Sequence, residues 1–171
     1  MKGRPRVNER ASPARVAELL SYEPETGLLR RRVFCGGELA GSVAGSIMKR
    51  ANGRSYISIS IDGARYLAHI LAWVLMTGEW PPLEIDHRDR DGLNNRPDNL
   101  RLATSTQNSA NSKRQSNNTS GRKGVFFYKR TGKWKAFIGH THLGYYDSLA
   151  LAEVARAAAE QKQYGEFTRV E

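Results

Sequence analysis

Residues 83–108 read LEIDHRDRDGLNNRPDNLRLATSTQN, two short apolar runs on either side of a polar loop. Leu83-Glu84-Ile85 forms a short strand that ends at Asp86-His87, and Leu100-Arg101-Leu102 forms a second. The loop between them is crowded with Asp, Asn, Arg and Gly. Thr104 and Gln107 stand at the T-x-x-Q spacing of a capping box, so Thr104 is the N-cap and Asn108 the fourth helical residue. A loop of this length with a purely structural task needs fewer groups that demand hydrogen bonds. The question is whether this one is a solvated turn or a site.

Strand, loop, strand and helix bring a strand end, a polar loop and a first helical turn together. A carboxylate oxygen from Asp86 and an amide oxygen from Asn108 are hard ligands, suited to Mg²⁺. His87 points to the opposite face of the strand from Asp86. It is poorly placed to share a metal but can take a proton from water. Hydrolysis of a phosphodiester needs such parts: a base for the water and a metal for the charge on the leaving oxygen. Asn94 and Asn95 are read as shaping the loop. Asn111, one helical turn beyond Asn108, stays open as an alternative ligand.

Working outward, SYISISI over residues 55–61 alternates polar and apolar as a half-buried strand does, Asp62-Gly63 marks a hairpin, and ARYLA returns. His69 to Thr77 is an apolar helix stopped by Gly78 and Pro81-Pro82; His69 in it is read as a satisfied core histidine. Upstream, SPARVAELL over residues 12–20 is a short helix with Ser12 as N-cap and Pro13 at its first position. A Pro-Glu-Thr-Gly turn then precedes a strand-like run. GGELAGSVAGS lacks the GxxxxGK[ST] pattern, which excludes a P-loop and leaves a surface loop. Downstream, Asn108 to Ser120 reads as a solvated linker. GVFFYKR, GKWKAFI and LGYYDS follow as three short strands. LALAEVARAAAEQKQYG is a helix capped by Ser148 and closed by Gly165. His140 and His142 form an H-x-H with no carboxylate nearby, a weak basis for a metal site.

Composition narrows the function classes. The 171 residues carry a net charge of +10 and 39% hydrophobic side chains. Residues 1–50 hold ten Lys/Arg against five Asp/Glu, residues 51–112 six against seven, and residues 113–171 eleven against five. Two basic flanks therefore surround a near-neutral centre, a balance that favours nucleic acid through phosphate contacts. The single cysteine, Cys35, excludes an internal disulfide framework and a cysteine-rich zinc site. No apolar run approaches the ~20 residues of a membrane span, and the basic N-terminus lacks a signal-peptide core. The expectation is a soluble protein of the cytoplasm, that of a bacterial host if phage-encoded, with no membrane partner.

Asp86-His87, Asn99 and Asn108 in this order and spacing resemble the HNH endonucleases, the ββα-metal or His-Me finger nucleases. The likeness is to the phage and intron-encoded homing type, whose motif runs DH…N..NR..NLR..T…N, and it spans roughly residues 55–112. It implies an α+β chain with a ββα-metal core, in which His87 activates water, Asp86 and Asn108 bind Mg²⁺ or Mn²⁺, and Asn99 braces the loop and orients His87. Many members carry His where Asn108 stands, whereas the homing subgroup uses Asn. No structural zinc is implied. Double-stranded DNA is the expected partner, and a monomer the expected state.

Residues 120–168 resemble the AP2/ERF-type DNA-binding domain, a three-stranded sheet with one helix. Between Lys113 and Lys135 there are eight Lys/Arg and no Asp/Glu. The resemblance implies that the sheet enters the major groove. The residues assigned to DNA are Arg101, Lys113, Arg114, Arg122, Lys123, Lys129, Arg130, Lys133, Trp134 and Lys135, while Phe127 and Phe137 are assigned to the core. The expected organisation is an N-terminal accessory region (1–50), a nuclease domain (51–112), a basic linker (113–121) and an AP2-like domain (122–171). The rival readings are a non-catalytic DNA-binding protein on the same scaffold and a zinc-binding RNA-associated module.

Overall fold

The computed structural model describes residues 10–51, 53–110, 118 and 120–167. The chain divides into two compact units, Met1–Ala103 and Thr104–Glu171. Asn111, Lys113, Arg114 and most of the expected linker lie outside the described residues.

The first unit opens with α1 (Pro13–Leu19), where the Ser12 hydroxyl accepts the Arg15 N–H as an N-cap. The chain leaves it directly into a hairpin of β1 (Leu20–Glu23) and β2 (Leu28–Arg31). A three-stranded antiparallel sheet follows, in the order β3 (Ser46–Lys49), β4 (Ser55–Ile61), β5 (Ala64–Leu67). Asp62 and Gly63 both take positive φ (50° and 86°) in the β4–β5 turn, as a tight two-residue hairpin requires. The expected boundary after residue 50 falls inside this sheet, because β3 pairs with β4 from Ser46↔Ser58 to Lys49↔Ser55.

Helix α2 (Ala68–Thr77) ends at Gly78 in the left-handed region. It is apolar around most of its circumference and buries Ala68, Leu71, Ala72 and Val74, the pattern of a helix enclosed on several sides. These side chains share one core with Val16, Leu19 and Leu20 from the N-terminal elements, Ile59 and Ile61 from β4, and Ile85 and Leu100. Ile85 and Leu100 belong to the last sheet of this unit, β6 (Glu84–His87) paired antiparallel with β7 (Leu100–Ala103).

The second unit begins with α3 (Ser105–Ala110). Its capping box is formed in both directions: the Thr104 N–H donates to Gln107 Oε1 at 2.8 Å and the Gln107 N–H to Thr104 Oγ1 at 3.2 Å. Strands β8 (Val125–Tyr128), β9 (Lys133–Ile138) and β10 (Thr141–Tyr146) make an antiparallel sheet with β9 in the centre. Helix α4 (Leu149–Tyr164), capped by the Ser148 hydroxyl, packs on one face of it.

Cross-strand partners share a face, so the pairs Val125↔Ala136 and Phe127↔Trp134 lie on the helix side, and Phe126↔Lys135 on the other. Trp134 packs with Val125, Ala136 and Ala152 under α4. That corrects its assignment to a DNA-facing surface: period-two alternation along β9 sends Trp134 inward and Lys133 and Lys135 outward. Phe137 follows Lys135 onto the open face, and Phe127 is 48% exposed. Neither is a core residue, which corrects the second assignment. Among the described residues no helix is long and apolar enough to cross a membrane.

Candidate active site

The antiparallel register of β6 and β7 places His87 opposite Leu100 and Asp86 opposite Arg101. Both Asp86 and His87 are buried, at 5% and 6% exposure. The Arg101 Nε and Nη2 groups both donate to Asp86 Oδ2, at 3.0 and 2.8 Å. Arg101 is itself 8% exposed, so its assignment to DNA is corrected. A directly opposed carboxylate holds the guanidinium inside the sheet.

The twelve-residue connection between the strands is organised around Asp89 and Asn99. Asp89 Oδ1 accepts from the Asp91 N–H (2.8 Å) and from Asn99 Nδ2 (2.9 Å), and Oδ2 accepts from Asn94 Nδ2 (2.7 Å). Asn99 Nδ2 also reaches the Asn94 carbonyl at 2.7 Å, and Asn99 Oδ1 accepts the Asp89 N–H at 3.0 Å. Burial pushes the Asp89 carboxyl up, but the hydrogen bonds outweigh it and hold the group below its ordinary range. The polar groups of the loop thus bond largely to one another, with Asn99 and Asn94 both donating to Asp89.

The ring of His87 is held by Asn95, which is completely buried. His87 Nε2 lies 3.2 Å from Asn95 Oδ1. The amide orientation follows from its other end, where Nδ2 donates to the Leu93 carbonyl at 3.3 Å. Facing an oxygen, Nε2 must carry the proton and donate it, so Nδ1 bears the lone pair of the neutral ring. Burial lowers the His87 pKa, against a smaller opposing pull from Asn95 and the nearby carboxylates. The imidazole is therefore neutral at physiological pH.

Two flanking elements fix the loop. The Tyr22 hydroxyl in β1 donates to the Asn95 carbonyl at 2.7 Å, and a Cβ on Gly27 would come within 2.8 Å of the Asn95–Arg96 backbone. On the other side, a Cβ on Gly92 would collide with the Ser55 carbonyl and the Tyr56 ring. The N-terminal hairpin is thus a buttress for the loop that carries Asn95.

A second histidine closes the back of the site. The His69 and His87 rings stand perpendicular with centroids 4.9 Å apart, and Tyr56 meets His69 edge-on at 5.7 Å. His69 is buried, and its Nδ1 has no hydrogen-bond partner among the described residues. It is a core histidine but not a satisfied one. Burial, with lesser effects from His87 and Arg50, pulls its pKa down to about 3.

Asn108 belongs to the second unit, where its N–H donates to the Thr104 carbonyl at 2.9 Å. The Asp86 carboxylate and the Asn108 amide are each, by themselves, of the oxygen type that a hard divalent cation takes. Among the described residues no cluster of three or more His, Cys, Asp or Glu is arranged to hold a metal. His140 and His142 are exposed, and the His142 ring packs against Phe137 and Tyr145.

Sequence reasoning passed over three contributors: Asn95 as the His87 partner, Asp89 as the hub of the loop, and the Asp86–Arg101 pair. The last was available in principle, since pairing His87 with Leu100 across the loop puts residue 86 opposite 101. Of the residues assigned to DNA, Arg122 pairs with Glu160 at 3.1 Å and Lys133 with Asp147 at 3.0 Å. Lys129 and Arg130 are exposed in the β8–β9 turn, and Lys123 lies half-buried before β8.

A sequence model described as HNH endonuclease matches residues 66–110, from the end of β5 through α3. Protein 3.8 of Escherichia phage T7 is 41% identical over 71 residues, a match covering 41% of this chain and 59% of that protein. The chain thus spans less than two thirds of that relative. No solved structure matches.

Proposed function

We propose that the chain is a divalent-metal-dependent DNA endonuclease of the HNH homing type, hydrolysing phosphodiester bonds by nicking or double-strand cleavage. The observation that carries this reading is a buried neutral histidine at a strand end, with its tautomer set by Asn95 and a carboxylate at the preceding residue. The HNH match over residues 66–110 supports the same assignment. His87 Nδ1 takes the proton of the attacking water. Asp86 and Asn108 would offer oxygens to Mg²⁺ or Mn²⁺, and the ion would supply stabilisation of charge on the leaving oxygen. Asn99 keeps the loop in shape, and Asn95 keeps the His87 ring from turning. The second unit, read as an AP2/ERF-like module, holds DNA through Lys123, Lys129, Arg130, Lys133 and Lys135.

One observation favours the rival reading of a non-catalytic DNA-binding protein. Arg101 already neutralises Asp86, as in a purely structural ion pair. Relaxation of a supercoiled plasmid decides between them. The endonuclease reading expects nicking with Mg²⁺ or Mn²⁺, none with EDTA, and none from Asp86→Ala or Asn108→Ala. Tight DNA binding with no cleavage in any metal would establish the rival.

A further inference from the structure

The open face of the C-terminal sheet is built of rings. Phe126, Tyr128, Phe137, His142 and Tyr145 lie on the side away from α4, around Lys135. Phe126 and Phe137 stack nearly parallel, with an interplanar angle of 8° and centroids 5.8 Å apart. Phe137 meets His142 at 4.9 Å, His142 meets Tyr145 at 4.9 Å, and Tyr145 meets Tyr128 at 5.9 Å. The Lys135 ammonium sits 4.8 Å from the Phe137 centroid, 5.3 Å from Tyr145 and 5.4 Å from Tyr128. Phe126 and Tyr145 remain 42% and 45% exposed. A contiguous ring surface left in water on a small unit marks an interaction site.

The chemistry of this face selects its partner. Duplex DNA offers base edges in its grooves, and these are read by forked donors such as Arg, Asn and Gln. The described part of this face presents flat π surfaces and one central cation instead. Unpaired bases offer π surfaces of their own, which a duplex keeps stacked inside, and aromatic side chains bind them with little regard to sequence. Phosphates complete the match: Arg130 lies 5.9 Å from the centroid of the Tyr128 ring, which Lys135 also approaches, in a segment of net charge +6 by the count above.

We infer that this face is a stacking platform for an unpaired DNA strand, with bases on Phe126 and Phe137 and the backbone along Lys135 and Arg130. The inference rests on the reading of the second unit as a DNA-binding module and narrows it to single strands at this face.

The test is fluorescence anisotropy of the full chain, in EDTA, against a labelled oligothymidylate and a labelled duplex. Phe126→Ala and Phe137→Ala should each weaken single-strand binding roughly 5- to 150-fold, the range for losing one stacked base. Duplex binding and the salt slope should hardly change. Lys135→Gln should lower the single-strand slope of log K against log salt by about 0.7. Should a variant fold poorly, photocrosslinking of a 5-iododeoxyuridine strand to the wild-type chain replaces it, and the adduct should map to β8, β9 or β10. Equal losses for single strand and duplex, no loss at all, or crosslinks elsewhere overturn the inference. A chain that binds duplex but not single strand loses this inference and keeps the DNA-binding module. A chain that binds neither loses both. Ring substitutions that dissociate a dimer without changing strand affinity would assign the face to a second copy of the chain.

Discussion

His69 and His87 pack ring to ring in a buried pocket, and their shared environment has a consequence for stability. His69 has a pKa of about 3 in the folded chain against an ordinary 6.5. Between those values the unfolded chain binds a proton that the folded chain excludes, so stability falls as pH drops through the window. One such group contributes a slope of at most about 1.4 kcal/mol per pH unit, and His87 acts in the same direction. Urea denaturation at several pH values between about 4 and 7 should show this slope, and His69→Phe should flatten it. An unchanged slope in the variant would mean that His69 is not held neutral by the fold. The Asp86–Arg101 pair makes a second prediction. Removing one partner of a buried ion pair typically costs about 3–5 kcal/mol. Arg101→Leu should therefore melt well below the wild type, and Mg²⁺ should recover part of the loss by restoring a cation to Asp86. Metal-independent melting of that variant would argue against Asp86 as a ligand. These pairings were hard to see in the sequence. Asn95 and Asn94 are adjacent and alike, and only the path of the loop sends one to the histidine and the other to Asp89.

The elements were more legible than the contacts. SYISISI, the Asp62-Gly63 turn and ARYLA stand in the structure as β4, turn and β5, and α1, α2 and α4 carry the caps their sequences announce. Strands β1 and β3 were missed for a physical reason. LSYE runs on from a helix without a breaker, and SIMK gains its strand character from pairing with β4. Neither has an alternation of its own to read. Trp134 was misread because large aromatics beside lysines suggest a binding surface, whereas alternation along β9 decides the side. The capping box of α3 gives the element-scale prediction. Thr104→Ala removes the acceptor of the Gln107 N–H and should cost about 1 kcal/mol of stability. Because α3 carries Asn108, the variant should also need more Mg²⁺ for half-maximal cleavage. Thermal melts and metal titrations of the cleavage rate measure the two effects. A normal metal requirement beside the stability loss would separate Asn108 from the metal.

At the scale of the whole molecule, charge divides the labour. The near-neutral centre holds the candidate active site, and the basic segments flank it. Each phosphate contact contributes about 0.9 to the slope of log K against log salt for duplex DNA. A chain ending at Ser112 should thus bind duplex weakly and with a shallower slope than the full chain, and should retain some metal-dependent nicking. Equal affinities and slopes would move the DNA contacts to the basic N-terminal region, whose described hairpin otherwise serves as a buttress through Tyr22 and Gly27. His87 is proposed as the general base of a DNA endonuclease, and a single substitution tests it. His87→Ala should cut the rate of Mg²⁺-dependent plasmid cleavage by ~10²–10⁴ while duplex affinity stays the same. Because burial lowers the pKa of His87 beneath the ordinary 6.5, the wild-type rate should stay flat down through that pH and fall only at a lower one. A His87→Ala chain that cleaves at the wild-type rate across roughly pH 6–9 would contradict the account.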